Sequence, residues 1–281
     1  NTAKAYAIAN PFKRVYWLNQ GAQSFSIKEC VVAIDIKSDT TWATSFQDRQ
    51  VNILNGATLT VSVPMALDTV MMEEDAQVVF TATEGKLTAR SLRFAPLLSA
   101  TGWKAFGMPF TSAVIKNSTE EEISAPSAQN VDNGIWFARL KDNKTPEFVV
   151  DESAFGMAGL WAANGDTYTI SSEGAFEFKT LEEPAAPTET GTFLMCSNPN
   201  TFTITLKQSA YILTADGTSF EQEANPEIKP FQSFVLTDAK TLSTLRSLRI
   251  GDGVVTGNQT IEPVDEFQDH GASLVMIAKG N

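Results

Sequence analysis

A side-chain period of two, broken at short intervals by glycine turns, constrains this chain more than any other feature. Cys30, Val32, Ile34 and Ile36 share one face of an extended segment, with Glu29, Val31, Ala33 and Asp35 opposite. Leu59, Val61 and Val63 alternate in the same way with Thr58, Thr60 and Ser62. The pattern returns at Trp136, Ala138 and Leu140, at Phe176 and Phe178, and at Phe202, Ile204 and Leu206. Each segment is expected to be a half-buried antiparallel strand, and threonine and aromatic residues fill them as strands prefer. Asn55-Gly56, Glu84-Gly85, Asn133-Gly134, Asn164-Gly165, Glu173-Gly174, Asp216-Gly217 and Asp252-Gly253 supply the turns. Asp216-Gly217, between Tyr211-Ile212-Leu213 and Ser219-Phe220, predicts a hairpin. Leu242, Leu245 and Leu248 recur at a spacing that predicts one short helix, which intervening Ser and Thr weaken.

The expected fold is therefore all-β, with two β-sandwich-like antiparallel domains and few or no helices. At 281 residues the chain is long enough for two cores, and 43% hydrophobic with 10% aromatic residues can fill them. A change of texture near Ala95 to Thr101 places the domains at residues 1–98 and 99–281. Residues 117–133 and 182–190, rich in Glu, Pro and Ser, read as exposed connections.

With 33 acidic against 21 basic side chains the net charge is −12, which repels phosphate backbones, so nucleic acid is not an expected partner. No run of about 18 apolar residues could cross a bilayer as a helix. The sequence starts at Asn1 without a basic segment and apolar stretch, which fits a cytosolic protein or a mature exported chain. Cys30 and Cys196 could form one long-range disulfide or serve as two buried thiols, and the thiol reading suits the apolar pattern around Cys30.

Chemistry-bearing residues are few. His270, beside Asp269, is the lone histidine, and no Gly-x-Ser-x-Gly elbow offers it a nucleophile. One His and two distant Cys give no zinc spacing, so no metal or cofactor is expected. Gly251, Gly253 and Gly257 lack the spacing and following helix of a phosphate loop and read as turns. Glu73-Glu74-Asp75 and Glu120-Glu121-Glu122 are the densest acidic loops. Neither has the alternating ligand spacing that folds around calcium. Two carboxylates facing each other across a cleft would support glycoside hydrolysis, a geometry that sequence does not give. Aromatics remain: Trp17, Trp42, Trp103, Trp136 and Trp161 could stack on a sugar or fill a groove, with core packing the competing role. Trp136 alternates in a strand and is assigned to the core. Trp161, ahead of Ala162-Ala163-Asn164-Gly165, and Trp42 are the ligand-binding candidates.

From Arg93 to about Ile250 the order of motifs resembles a β-rich module of exported and surface proteins of Bacteroidetes. The residues that carry the resemblance are Gly102-Trp103 with Met108-Pro109-Phe110, Ala162-Ala163-Asn164 before Tyr168, Tyr211-Ile212-Leu213 leading to Asp216-Gly217 and Phe220, and Pro230-Phe231-Gln232-Ser233-Phe234. The chain departs from the module at Ala105-Phe106-Gly107-Met108 and at Thr167-Tyr168. The resemblance implies a secreted protein, or one with a lipid anchor upstream of residue 1, lying outside the cell or on the outer-membrane surface. It brings no catalytic residues. It also makes Asp39-Thr40-Thr41 and Asp68-Thr69-Val70 similar to O-glycosylation acceptors of such proteins.

The expectation is a non-catalytic surface protein that adheres to, or binds, an extracellular glycan or protein. Two rivals stand beside it. One is a structural component of a surface or pilus-like assembly that pairs strands, with Ser273–Ala278 as the segment to suspect. The other is a polysaccharide-active enzyme.

Overall fold

The computed structural model describes residues 15–18, 32–45, 47–98, 102–110, 113–123, 134–151, 158–250, 266–269 and 274–277. Among them are 25 short strands and one helix of six residues, so the protein is all-β as expected.

The first half differs from the expectation in how its strands pair. β2 (Val32–Ile36), β4 (Gln50–Ile53), β6 (Met65–Glu73) and β8 (Leu87–Ala95) lie side by side in parallel, and β1 (Val15–Leu18) joins β2 in the same sense. β3 (Thr40–Trp42), β5 (Thr58–Val61) and β7 (Gln77–Phe80) form a second parallel sheet. The chain alternates between the two sheets, so it winds as a β-solenoid with about 20 residues per turn. The antiparallel sandwich expected here is corrected. Alternation reports which face of a strand is buried, not which strand it pairs with, and both arrangements bury every second residue.

The turn signals account for the difference. Leu54 to Ala57 and Glu73 to Ala76 each close a tight turn, by Ala57 N–H donating to Leu54 O and Ala76 N–H to Glu73 O. Each is a corner that hands the chain to the other sheet rather than a hairpin. Gln77 N–H donates to Ala57 O, so one corner stacks on the next. Inside, equivalent residues form columns: Ile34, Val51, Val70 and Leu92 in one sheet, and Trp42, Val61 and Phe80 in the other. Strand spacing of about 4.8 Å puts each column member in contact with the next, so burial repeats turn by turn.

The expected boundary at residue 98 falls between β8 and β9 (Lys104–Phe106). Beyond it the pairing is antiparallel. β15 (Thr169–Ser172) and β16 (Phe176–Phe178) lie along β8, and β10 (Ala113–Lys116) with β11 (Glu122–Ile123) extends the sheet past β15. A second sheet has the order β13 (Phe148–Val150), β12 (Ile135–Leu140), β14 (Gly159–Ala163), β9. A third runs β17 (Phe193–Ser197), β22 (Ser233–Thr237), β19 (Ala210–Leu213), β20 (Ser219–Glu223), β23 (Ser247–Arg249). β18 (Ile204–Thr205) pairs with β21 (Glu227–Ile228). β24 (Glu266–Asp269) pairs with β25 (Leu274–Ile277), so the central residues of the suspected assembly segment have a partner strand.

The middle sheet is buried on both faces. Phe137, Trp161 and Ala163 join the core of the solenoid, whereas Trp136, Ala138, Leu160 and Ala162 pack against Tyr211, Phe220 and Val235 of the third sheet. Hence β14 is buried at every position and shows no alternation. The hairpin predicted at Asp216-Gly217 joins β19 to β20. Gly217 has φ +71°, and a Cβ there would lie 2.5 Å from Trp103 O, so this turn must be glycine to seat on Gly102-Trp103. The helix, α1 (Ala239–Thr244), starts earlier than the leucine spacing predicts because Asp238 caps its first turn, accepting from Lys240 N and Thr241 N. Leu242 and Leu245 pack on the core between the second and third sheets, and Leu248 passes into β23.

Candidate functional site

Where the last turn of the solenoid meets the antiparallel half, the Trp42–Val61–Phe80 column reaches the surface. Phe80 is half-buried, because no further turn covers it. A cleft of about 260 Å³ opens there, with Phe80, Phe178 and Phe202 as its aromatic wall and Lys86, Glu177, Lys179 and Thr180 as its polar rim. Its volume falls just below the range of about 300–1,000 Å³ usual for ligand clefts, and its walls mix aromatic and polar groups.

Each wall is held from behind. Thr201 seals the free edge of β7: Val78 N–H donates to Thr201 O at 2.7 Å, and the Thr201 hydroxyl donates to Val78 O at 2.7 Å. Phe202 follows directly. Its carbonyl accepts from the amide of Asn198, which is 0% exposed and also reaches Ile228 O and Lys229 O. Asn198 Oδ1 in turn accepts from Asn200 N, and the Asn200 amide grips Leu181 N and O. Lys86 leaves the Glu84-Gly85 turn, where a Cβ on Gly85 would meet Pro64 Cγ at 2.3 Å, so glycine lets that loop close down. Glu177 projects from β16, between inward-facing Phe176 and Phe178.

Lys86 Nζ and Glu177 Oε2 are 2.8 Å apart on the rim. That hydrogen bond, and the charges of Lys86 and Lys179, hold the Glu177 carboxyl below the usual carboxylate range. At neutral pH Glu177 is an acceptor and does not donate a proton. Lys179 makes no hydrogen bond or ion pair with a described residue, so the rim carries two cations against one anion.

The tryptophans chosen from sequence lie elsewhere. Trp161 is 0% exposed; it stacks on Phe106 at 5.0 Å, touches Phe137, and donates its indole N–H to Phe106 O at 3.1 Å. Trp42 is 6% exposed at the base of the column that ends in Phe80. Both are core residues, and neither presents a ring face to a ligand. Trp136 is buried as assigned, Trp103 is buried too, and Trp17 lies in β1 with its side chain outside the described residues. Cys30, His270 and Gly251, Gly253 and Gly257 also lie outside the described residues. Cys196 is half-buried, and burial pushes its thiol up to about 12.

The acidic loops act as structural ties. Glu74 pairs with Lys104 at 2.8 Å and Asp75 with Lys229 at 2.8 Å, which fastens the last corner of the solenoid to the antiparallel half. Glu121 accepts from Asn117 and Thr119 within its own turn. Among the described residues, no group of three or more His, Cys, Asp or Glu side chains could hold a metal ion. Thr69 is buried in β6, whereas Thr40 opens β3, half-exposed, and bonds to Ser38 O. A second depression of about 460 Å³ is lined by Glu221, Gln222, Ala224, Arg246 and Ser247 and has no aromatic wall.

The residues that carry the resemblance meet in space. Gly102-Trp103 cradles Gly217, Gly107 N–H donates to Phe231 O, and a Cβ on Gly134 would strike Tyr168 and Asn164. They build the antiparallel half and leave the cleft to other residues. No family model, characterised protein or solved structure matches the chain.

Proposed function

We propose that the protein is a non-catalytic, exported surface protein that binds an extracellular glycan or protein through the cleft between its solenoid and antiparallel halves. The observation that carries this reading is the cleft itself: aromatic side chains at the open end of a rigid column, beside a rim with one surplus cation. Rigid coils suit binding at a surface, since their walls are fixed by stacking and lose little freedom when a ligand arrives. Glu177 is the one carboxylate among the described residues lining the cleft, and this supports binding over hydrolysis, which uses a facing pair. Export is what the resemblance of residues 93–250 to surface modules implies.

The test is binding of the purified chain to arrayed host and microbial glycans and matrix proteins, with Phe202→Ala as the cleft variant and Trp161→Phe as the core control. Saturable binding lost in the first and kept in the second supports the reading. Binding indifferent to Phe202→Ala, or none at all, refutes it.

A further inference from the structure

The rim of the cleft narrows the ligand further, on the reading that the cleft is the binding site. Lys179 makes no hydrogen bond or ion pair with a described residue, and Lys86 is already engaged by Glu177. A ligand that docks here therefore meets an ammonium whose donors no described residue uses and, two residues earlier in the chain, a carboxylate with acceptor capacity left over. It must offer an anionic acceptor to the first and hydrogen-bond donors to the second. An ionised Asp or Glu side chain supplies the anion but carries no donor of its own beside it. A neutral sugar supplies donors but no anion. A sugar ring that bears a carboxylate supplies both, and its C–H face suits Phe80 and Phe202. The cleft, at about 260 Å³, has room for about one such ring.

We propose that the cleft binds one residue of an acidic polysaccharide, a hexuronate, with its carboxylate on Lys179, its hydroxyls on Glu177 and Thr180, and its ring against Phe80 and Phe202. The rest of the glycan leaves through the open mouth of the cleft. The chain's net charge of −12 opposes a polyanion at long range, so binding depends on the local lysines and weakens steeply as salt screens them.

The test is calorimetric titration of the full chain with a hexuronate trisaccharide, its carboxyl-reduced neutral counterpart and hexaglutamate. The proposal expects saturable binding of the uronate, at least tenfold weaker binding of the neutral trisaccharide, and none of the peptide. Lys179→Ala lowers uronate affinity about tenfold and leaves the neutral sugar unchanged, Lys179→Arg restores it, and Phe202→Ala abolishes binding of both. Melting temperatures within a degree or so of the parent certify that the variants fold. Equal affinity for the two trisaccharides, tighter binding of hexaglutamate, or indifference to Lys179→Ala overturns the proposal. Array binding without uronate binding sinks the acidic-sugar assignment and leaves the binding reading standing; silence on both sinks the two together.

Discussion

The solenoid and the antiparallel half solve the same problem in opposite ways. In the solenoid each strand gains its partners from the turns before and after it, so the stack itself leaves an open edge. In the other half, strands fold back on antiparallel neighbours and the edge strands are short. The two halves belong together because β15, β16 and Thr201 cover the edges that β8 and β7 would otherwise expose. The antiparallel half is an end cap, and the cleft is the place where that cap leaves the column uncovered.

If the cap and the coil share one core, a cut in the layer between them has the largest effect. Trp161→Ala is expected to cost about 4 kcal/mol and to shift one unfolding transition seen alike by tryptophan fluorescence and far-ultraviolet circular dichroism. Two transitions, with the solenoid's unmoved, would separate the halves. Within the coil, Ile53 lies fully buried between Ile36 and Met72 of the neighbouring strands, and Ile53→Ala is expected to cost about 3 kcal/mol in denaturant unfolding. On the cap side, Asn198→Ala strands the carbonyls of Phe202, Ile228 and Lys229 and costs about 2 kcal/mol. The charge tie is the smallest: Lys104→Ala loses a half-exposed pair with Glu74 and costs about 0.5 kcal/mol, less in high salt.

A carboxylate on the cap side makes stability depend on pH. Hydrogen bonds from the Thr241 hydroxyl and the backbone of Thr241, Gly191 and Lys240 hold Asp238 at about 2, against 3.8 for a free carboxyl. Because the folded value is the lower, this contribution is present above about pH 4 and is lost as pH falls toward 2. Asp238→Asn should flatten acid unfolding of the chain in that window, followed by circular dichroism, and leave the profile above pH 5 unchanged.

Much of this was legible in sequence, and the failures share a cause. Leu59 and Val61 do point inward with Thr58 and Thr60 outward, since burial alternates whatever the partner strand. Pairing direction was illegible because Asn55-Gly56 serves a solenoid corner as well as a hairpin. Trp161 was misplaced because Ala162-Ala163-Asn164-Gly165 resembles a loop edge, whereas small side chains there let two layers close on one strand. Asn198 and Asn200 gave no hydrophobic signal at all. Their burial follows from hydrogen bonds to distant backbone, which no local pattern announces. The cleft residues sit on both sides of that junction, so neither half of the sequence could reveal it alone.

The central claim is that the first half is a parallel coil. Nuclear Overhauser contacts in the isotope-labelled chain test it directly. The account predicts backbone contacts from Val51 to both Ile34 and Val70, and none across Asn55-Gly56 between Ile53 and Thr58. A ladder of contacts joining Ile53 to Thr58, with none from Val51 to Ile34, would restore the antiparallel hairpin and contradict the coil, its cap and the cleft between them.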